Sequence, residues 1–140
     1  MRVTPKLFTV EEANRLLPQV KRILHSLRGR GEKIRRLEQK KAVEELSWLR
    51  EDGTVSPRAR EAVASLEESL DEQSRAFEGD LEHLASIGAQ LKNLEEGLVD
   101  FFTARGDELV YLCWREGEDQ IRYWHDLESG FPGRQPLEKL

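Results

Sequence analysis

The sequence is poor in cysteine and in long apolar runs, and each shortage excludes a class of protein. The single cysteine, Cys113, excludes an internal disulfide and leads us to expect that any cysteine-based zinc site is excluded as well. The N-terminus lacks the apolar core of a signal peptide, and no apolar run approaches the roughly 20 residues that span a bilayer. Phosphate-binding loops, dinucleotide fingerprints and nucleophile motifs are missing as well. We therefore expect a cytoplasmic protein, without a membrane segment and without a recognisable catalytic residue.

The balance of charged and apolar residues favours long, solvated helices. Of the 140 residues, 35% are charged and 38% are hydrophobic, whereas an ordinary domain has about 25% charged residues. The length predicts a single domain, 1–140. A net charge of −5 argues against a general nucleic-acid binder. The stretch 21–41 nevertheless holds nine Lys or Arg against two Glu, and 61–82 is acidic. This leaves two interpretations open, a pair of helices with complementary charge or a basic stripe that grips phosphate.

Local signals predict where a first helix begins. Thr9 and Glu12 have the spacing of a capping box, in which each side chain accepts a hydrogen bond from the other residue's amide. Apolar residues then recur at three- and four-residue steps, which predicts a helix over 9–50. Cys113 lies in an apolar run further along the chain, so we interpret it as a small buried hydrophobic residue.

A second helix is predicted over 57–96. Ser56 can serve as its N-cap, Pro57 fits the first helical position, and Gly97 fits the position after its end. Its apolar residues alternate in steps of three and four, the spacing of a coiled coil. The two helices would form a long antiparallel hairpin. Because two helices alone bury little apolar surface, the chain is expected to form a homo-oligomer through these stripes.

After Gly97 the apolar period changes to two, which predicts a three-stranded antiparallel sheet over 98–127 and a C-terminal loop over 128–140. Tight turns would set Phe101 opposite Val110 and Trp114 opposite Ile121. The first face would then hold Val99, Phe101, Val110, Leu112, Trp114, Ile121, Tyr123 and His125, and the second Leu98, Asp100, Phe102, Tyr111, Cys113, Arg115, Arg122 and Trp124. This register puts Asp100 and His125 on opposite faces, and a slip of one residue would reverse that. The predicted fold class is thus α+β and mainly α.

Several motifs occur in a fixed order along the chain. They are LFTVEEANRLLP at 7–18, GLVDF at 97–101, LCWREGE at 112–118, WH at 124–125 and GFPGRQPL at 130–137. Together they resemble a prokaryotic family known as domain of unknown function 2203. The resemblance covers nearly the whole chain, implies a small prokaryotic protein, and supplies no mechanism. One departure is the Phe at position 102, where the family tends to have proline after Val-Asp-Phe.

Charged and titratable residues among the C-terminal aromatics form the candidate ligand-binding site. They are Asp100, Arg115, Glu118, His125 and Arg134. Asp100, Glu118 and His125 could bind Zn, Mn or Fe, and the two arginines could clamp a carboxylate or a phosphate. Structural alternatives stay open: His125 as a satisfied core histidine, Arg115 paired with Asp100 or Glu118, and Arg134 holding the C-terminal loop on the sheet.

Two functions from different classes are compatible with these observations. The first is a non-enzymatic oligomeric scaffold or interaction module, because a helical hairpin is a common interaction surface and no catalytic motif is present. The second is a small-molecule or metal-binding protein, a class that includes metal-dependent enzymes, with a site at the junction of sheet and helices. The sequence identifies no cofactor.

Overall fold

The computed structural model describes residues 6–48 and 50–140, which form two helices and one sheet. Helix α1 is Val10–Leu46 and helix α2 is Pro57–Ser86. The strands are β1 (Gln90–Asn93), β2 (Leu98–Arg105), β3 (Glu108–Arg115), β4 (Tyr123–His125) and β5 (Gln135–Pro136), with short 3-10 helices at Phe131–Gly133 and Leu137–Lys139. The α+β class is confirmed, but the sheet has five strands where three were predicted.

The chain divides into two compact units. The first contains the described residues up to His25 together with Leu81–Leu140, and the second is Ser26–Asp80. The prediction of a single domain over 1–140 stays a prediction.

Helix α1 begins at the capping box that the sequence predicts. The amide of Thr9 donates to Glu12 Oε1 at 2.9 Å, and the amide of Glu12 donates to Thr9 Oγ1 at 3.1 Å. These bonds satisfy two amides that the first helical turn would otherwise leave unpaired. The helix ends at Leu46, where a turn begins, rather than at 50. The predicted helix extended over 47–50 as well, and within that stretch position 49 lies outside the described residues.

Helix α2 begins as predicted but ends ten residues early. The Ser56 hydroxyl accepts a hydrogen bond from the amide of Ala59 at 3.3 Å, as an N-cap does. At the other end, Gly88 has a positive φ of 89°. Its amide donates to the Ala85 carbonyl, and the next amide donates back to the Leu84 carbonyl. This pair of bonds is the Schellman ending that glycine favours, so the prediction of a helix to 96 is wrong.

The sheet is antiparallel throughout, with its strands in the order β1-β2-β3-β4-β5. Strands β2 and β3 are joined by Gly106 and Asp107 alone, because Arg105 pairs with Glu108. Gly106 has a φ of +61° and Asp107 does not have a positive φ, which is the pattern of a type II′ turn. This turn is shorter than a pairing of Phe101 with Val110 would require, and Phe101 pairs with Leu112 instead.

The side chains of β4 lie on the faces of the sheet opposite to those predicted. Tyr111 pairs with His125 and Cys113 with Tyr123, so His125 lies on the same face as Cys113 and Asp100. The pairing of Trp114 with Ile121 does not occur, because Ile121 precedes the strand and its amide donates to Asn14 Oδ1 at 2.7 Å. The longer connection shifts β4 by one residue and reverses its faces.

One face of the sheet forms the core of the first unit. Its fully buried side chains include Val99, Phe101, Val110, Leu112 and Trp114, all on the predicted core face. Tyr123 and His125, also assigned to that face, lie on the opposite one, and Trp124 takes their place. Phe8 packs edge-on against Phe101, with ring centroids 5.2 Å apart. This face supports the site, which lies on the other side of the sheet.

The second unit is a helical hairpin. The Ser26 hydroxyl donates to Asp80 Oδ2 at 2.6 Å, and Arg30 Nε lies 3.0 Å from the same oxygen. These bonds join α1 to α2 within the unit, so the predicted packing of two helices is confirmed there, and its coiled-coil character stays a prediction. Of the helices in the described part of the chain, none has both the length and the apolar content required to cross a membrane.

Candidate metal centre

The register places one polar side chain from each of three neighbouring strands on the face opposite the core. Asp100 on β2 pairs directly with Cys113 on β3. His125 on β4 pairs with Tyr111, the next residue of β3 on the same face as Cys113. Strands β2 and β4 are separated by β3, a distance of about 9–10 Å between their backbones. The small side chain of Cys113 leaves room for Asp100 and His125 to meet above it.

The two side chains form a buried carboxylate–imidazole pair. His125 Nε2 lies 3.0 Å from Asp100 Oδ2, and each residue is 2% exposed. The other ring nitrogen, Nδ1, lies 2.7 Å from the Asp126 carbonyl oxygen. A carbonyl oxygen only accepts hydrogen bonds, so Nδ1 carries a proton and donates. Nε2 and Oδ2 must then share a further proton, because two lone pairs facing each other at this distance would repel.

Cys113 completes the cluster. Its sulfur, a carboxylate oxygen of Asp100 and a ring nitrogen of His125 all lie within 4.8 Å of one another. Burial raises the pKa of the Cys113 thiol from 9.0 to about 12, and the neighbouring Asp100 carboxylate adds to the shift. The thiol is therefore protonated at neutral pH unless a cation replaces its proton.

Opposing influences act on the pKa of His125. Burial disfavours the charged ring and would lower the pKa, but the hydrogen bonds to Asp100 and to the Asp126 carbonyl outweigh it, so that the pKa is raised above 6.5. The imidazolium is favoured because both of its N–H groups have acceptors. The site thus stabilises positive charge at Nε2.

A small pocket adjoins the cluster. It has a volume of about 160 Å³ and is lined by Lys92, Leu98, Asp100, Tyr111, Cys113, His125, Leu127, Glu128, Gly130 and Phe131. The lining combines polar and apolar side chains. Within it, Lys92 Nζ lies 3.3 Å from the Tyr111 hydroxyl and 4.3 Å from the centre of the Tyr111 ring. A volume of this size accommodates several water molecules. The cluster is accordingly buried by protein but borders a space that a small ligand can occupy.

The other predicted site residues lie apart from this cluster. Arg134 Nη2 donates to both oxygens of Glu118, at 2.8 and 2.7 Å, and its guanidinium lies 4.0 Å from the Tyr123 ring centre. Glu118 Oε1 also accepts from the Arg115 amide at 2.7 Å. The Arg115 side chain is about half exposed and lies 3.9 Å from Glu96. Glu118 is therefore occupied by an ion pair that attaches the C-terminal segment to the sheet, and Cys113 stands beside Asp100 and His125 instead.

The site residues predicted from the sequence do not include Cys113, Lys92 or Tyr111, which line the pocket. Cys113 is buried, as the sequence predicts, but the predicted register does not put it directly opposite Asp100, where the structure has it. Lys92 was assigned to the last turns of the second helix, whereas it lies in β1. The signal for this strand was Gly88, which ends the helix two residues before the strand begins.

Comparisons with known proteins give one match. Neither the curated proteins nor the solved structures include a match to this chain. The family model that describes an uncharacterised conserved protein, domain of unknown function 2203, matches residues 6–137. That range contains the capping box, all five strands and the three clustered residues. The chain therefore belongs to the domain of unknown function 2203 family.

Proposed function

We propose that this protein binds a divalent metal ion through Asp100, Cys113 and His125. The observation that carries the proposal is the convergence of one oxygen, one sulfur and one nitrogen donor, all within 4.8 Å of one another and all buried. Donors at about 2.0–2.3 Å from a tetrahedral zinc ion lie roughly 3.3–3.8 Å from one another. Small side-chain movements would bring the three donors to these separations, with the metal replacing the proton between Asp100 and His125.

The hydrogen bond behind His125 supports this role. Metal-ligating histidines usually donate their second ring N–H to a carbonyl or carboxylate, which fixes the ring and selects the nitrogen that faces the metal. The Asp126 carbonyl accepts from Nδ1 in this way, so Nε2 is directed at the cluster. The ligand set favours a metal that accepts sulfur, nitrogen and oxygen, such as Zn²⁺, over Mg²⁺ or Ca²⁺, which prefer oxygen.

The pocket supports an exchangeable coordination position. Three protein ligands with a fourth position open to a water or a small ligand are typical of catalytic rather than structural zinc sites. The pocket borders all three donors, so an external ligand could complete the coordination. The sequence-based prediction of an oligomeric scaffold depends on the helical hairpin and not on this site, and it stays a prediction beside the present proposal.

The test is a titration of the reduced, metal-free protein with Co²⁺, followed by displacement with Zn²⁺. Wild-type protein is expected to develop a sulfur-to-cobalt charge-transfer band at a stoichiometry of about one ion per chain. Cys113→Ser should lose that band, and Asp100→Asn and His125→Ala should weaken binding by at least about tenfold.

Glu118→Gln is the matched control, because Glu118 was a predicted ligand and the amide can keep a hydrogen bond to Arg134. This variant should bind Co²⁺ as the wild type does. A wild-type protein without the sulfur band at micromolar Co²⁺ would overturn the proposal. Equal loss in Cys113→Ser and Glu118→Gln would mean that metal binding follows general stability rather than direct ligation.

A further inference from the structure

The helical hairpin buries little of its own apolar surface. Among the described residues of Ser26–Asp80, the buried apolar side chains are Leu27, Ala59 and Val63. The others of its stripe are half-buried, namely Ile34, Leu37, Leu66, Leu70 and Phe77. Apolar positions that recur at helical spacing and stay partly exposed mark a surface that another helix can cover.

The charges of the two helical segments are complementary. Segment 26–46 contains seven Lys or Arg and four Glu, a net charge of +3, and segment 57–80 contains three Arg and seven Asp or Glu, a net charge of −4. Within each helix some of these charges pair locally, as Glu32 does with Arg35 and Asp71 with Arg75. Other charged side chains, such as Lys33, Lys40, Glu67 and Glu78, are exposed and flank the apolar stripe of their helix.

We propose that the hairpin Ser26–Asp80 docks on the same hairpin of a second copy of this chain, with the basic segment of each copy against the acidic segment of the other. A two-fold arrangement of this kind places opposite charges together twice and covers the half-buried stripes at the same time. A polyanion such as nucleic acid fits the basic segment but is repelled by the acidic helix beside it. A second hairpin matches both segments, so the second copy is the occupant that the charges favour.

The experiment is sedimentation of the full chain with two sets of charge reversals. Variant A carries Lys33→Glu and Lys40→Glu, and variant B carries Glu67→Lys and Glu78→Lys, all at exposed positions that flank the apolar stripe. Wild-type protein should be a dimer at about 100 µM, a concentration that populates even weak complexes. Each variant alone should dimerise at least about tenfold more weakly, because like charges now face each other. Equimolar A and B should recover dimers. The reversed segment of A then meets the reversed segment of B, and the two unchanged segments meet each other, so that opposite charges face each other in both contacts.

Lys139→Glu, an exposed reversal in the first unit, is the control and should dimerise as the wild type does. Circular dichroism checks that the variants keep their helices. If a variant unfolds, the salt dependence of the wild-type dimer provides the second measurement, and about 1 M NaCl should weaken it. A monomeric wild type at about 100 µM, dimers insensitive to both reversals and salt, or a mixture of A and B that stays monomeric would each overturn the proposal. The Co²⁺ titration is unaffected by any of these outcomes.

Discussion

The ring of Phe8 occupies the space that a side chain at Gly88 would need. A Cβ built on Gly88 would lie 2.5 Å from Phe8 Cζ, and the residue has a φ of 89°. Gly88→Ala should therefore destabilise the protein by about 3 kcal/mol, since a left-handed conformation costs an L-residue roughly 1–2 kcal/mol and overpacking about 1–3 kcal/mol. Urea denaturation measures the difference.

Gly79 provides the matched control. It lies within α2, is exposed, and has open space around the position that a Cβ would take, with no neighbouring atom of the described residues within 4 Å. Gly79→Ala should stabilise the protein by up to about 1 kcal/mol, because alanine is the better helix former. Equal effects of the two substitutions would contradict the close contact between Phe8 and Gly88.

The two arginines of the predicted site should differ in their effect on stability. Arg134 is 13% exposed and donates to both oxygens of Glu118, whereas the Arg115 side chain is 48% exposed. Arg134→Ala should cost about 2 kcal/mol, because it leaves a partly buried carboxylate without its charged donor. Arg115→Ala should change the free energy of unfolding by less than about 0.5 kcal/mol. Similar urea midpoints for the two variants would show that the ion pair does not hold the C-terminal segment.

Cys113 should resist alkylation in the metal-free native protein. With a pKa of about 12 instead of 9.0, its thiolate fraction near pH 8 is about 1,000-fold lower than that of an ordinary thiol. Its 1% exposure blocks the reagent as well. The rate of iodoacetamide labelling, followed by mass spectrometry, measures this, and the same protein in urea should react at the ordinary rate. Rapid labelling of the native state would contradict the burial of the cluster.

The capping box should lose strength in acid. Hydrogen bonds from Thr9 lower the pKa of Glu12 below 4.5. A depressed pKa in the folded state means that the contribution to stability is complete above the unfolded-state pKa and is lost as pH falls through the folded-state value. Glu12→Ala should therefore destabilise the protein near neutral pH and progressively less below about pH 4.5. Urea midpoints across this range test the prediction, with Glu11→Ala, a neighbouring exposed residue, as the control.

Local signals in the sequence predicted the beginnings of both helices. Thr9 and Ser56 cap the helices through bonds that reach only three residues along the chain. The end of α2 was missed because Ile87, Leu91 and Leu94 continue the helical spacing beyond Ser86. The positive φ of Gly88 ends the helix there, although the apolar pattern continues through the turn and β1.

The site was predicted only in part because its geometry depends on distant contacts. The sequence identified Asp100 and His125 but placed them on opposite faces. Their common face follows from the connection before β4, in which the Ile121 amide bonds to Asn14, 107 positions earlier in the chain. A contact of that range leaves no local pattern, and a shift of one residue decides which side chains meet.

The edges of the sheet are unsuited to receiving a strand from another molecule. At one side, β1 has an irregular register between Leu91 and Asn93, where the charged Lys92 lies, and at the other side β5 has two residues and includes Pro136. Strand β1 pairs only with the first residues of β2, up to Asp100. Further along β2, the Phe8 amide donates to the Phe102 carbonyl at 2.8 Å, so that the segment at Phe8 lies along this edge. Short, irregular or proline-containing edges prevent edge-to-edge growth. Concentrated or partly heated solutions should therefore resist fibrillar aggregation through this sheet.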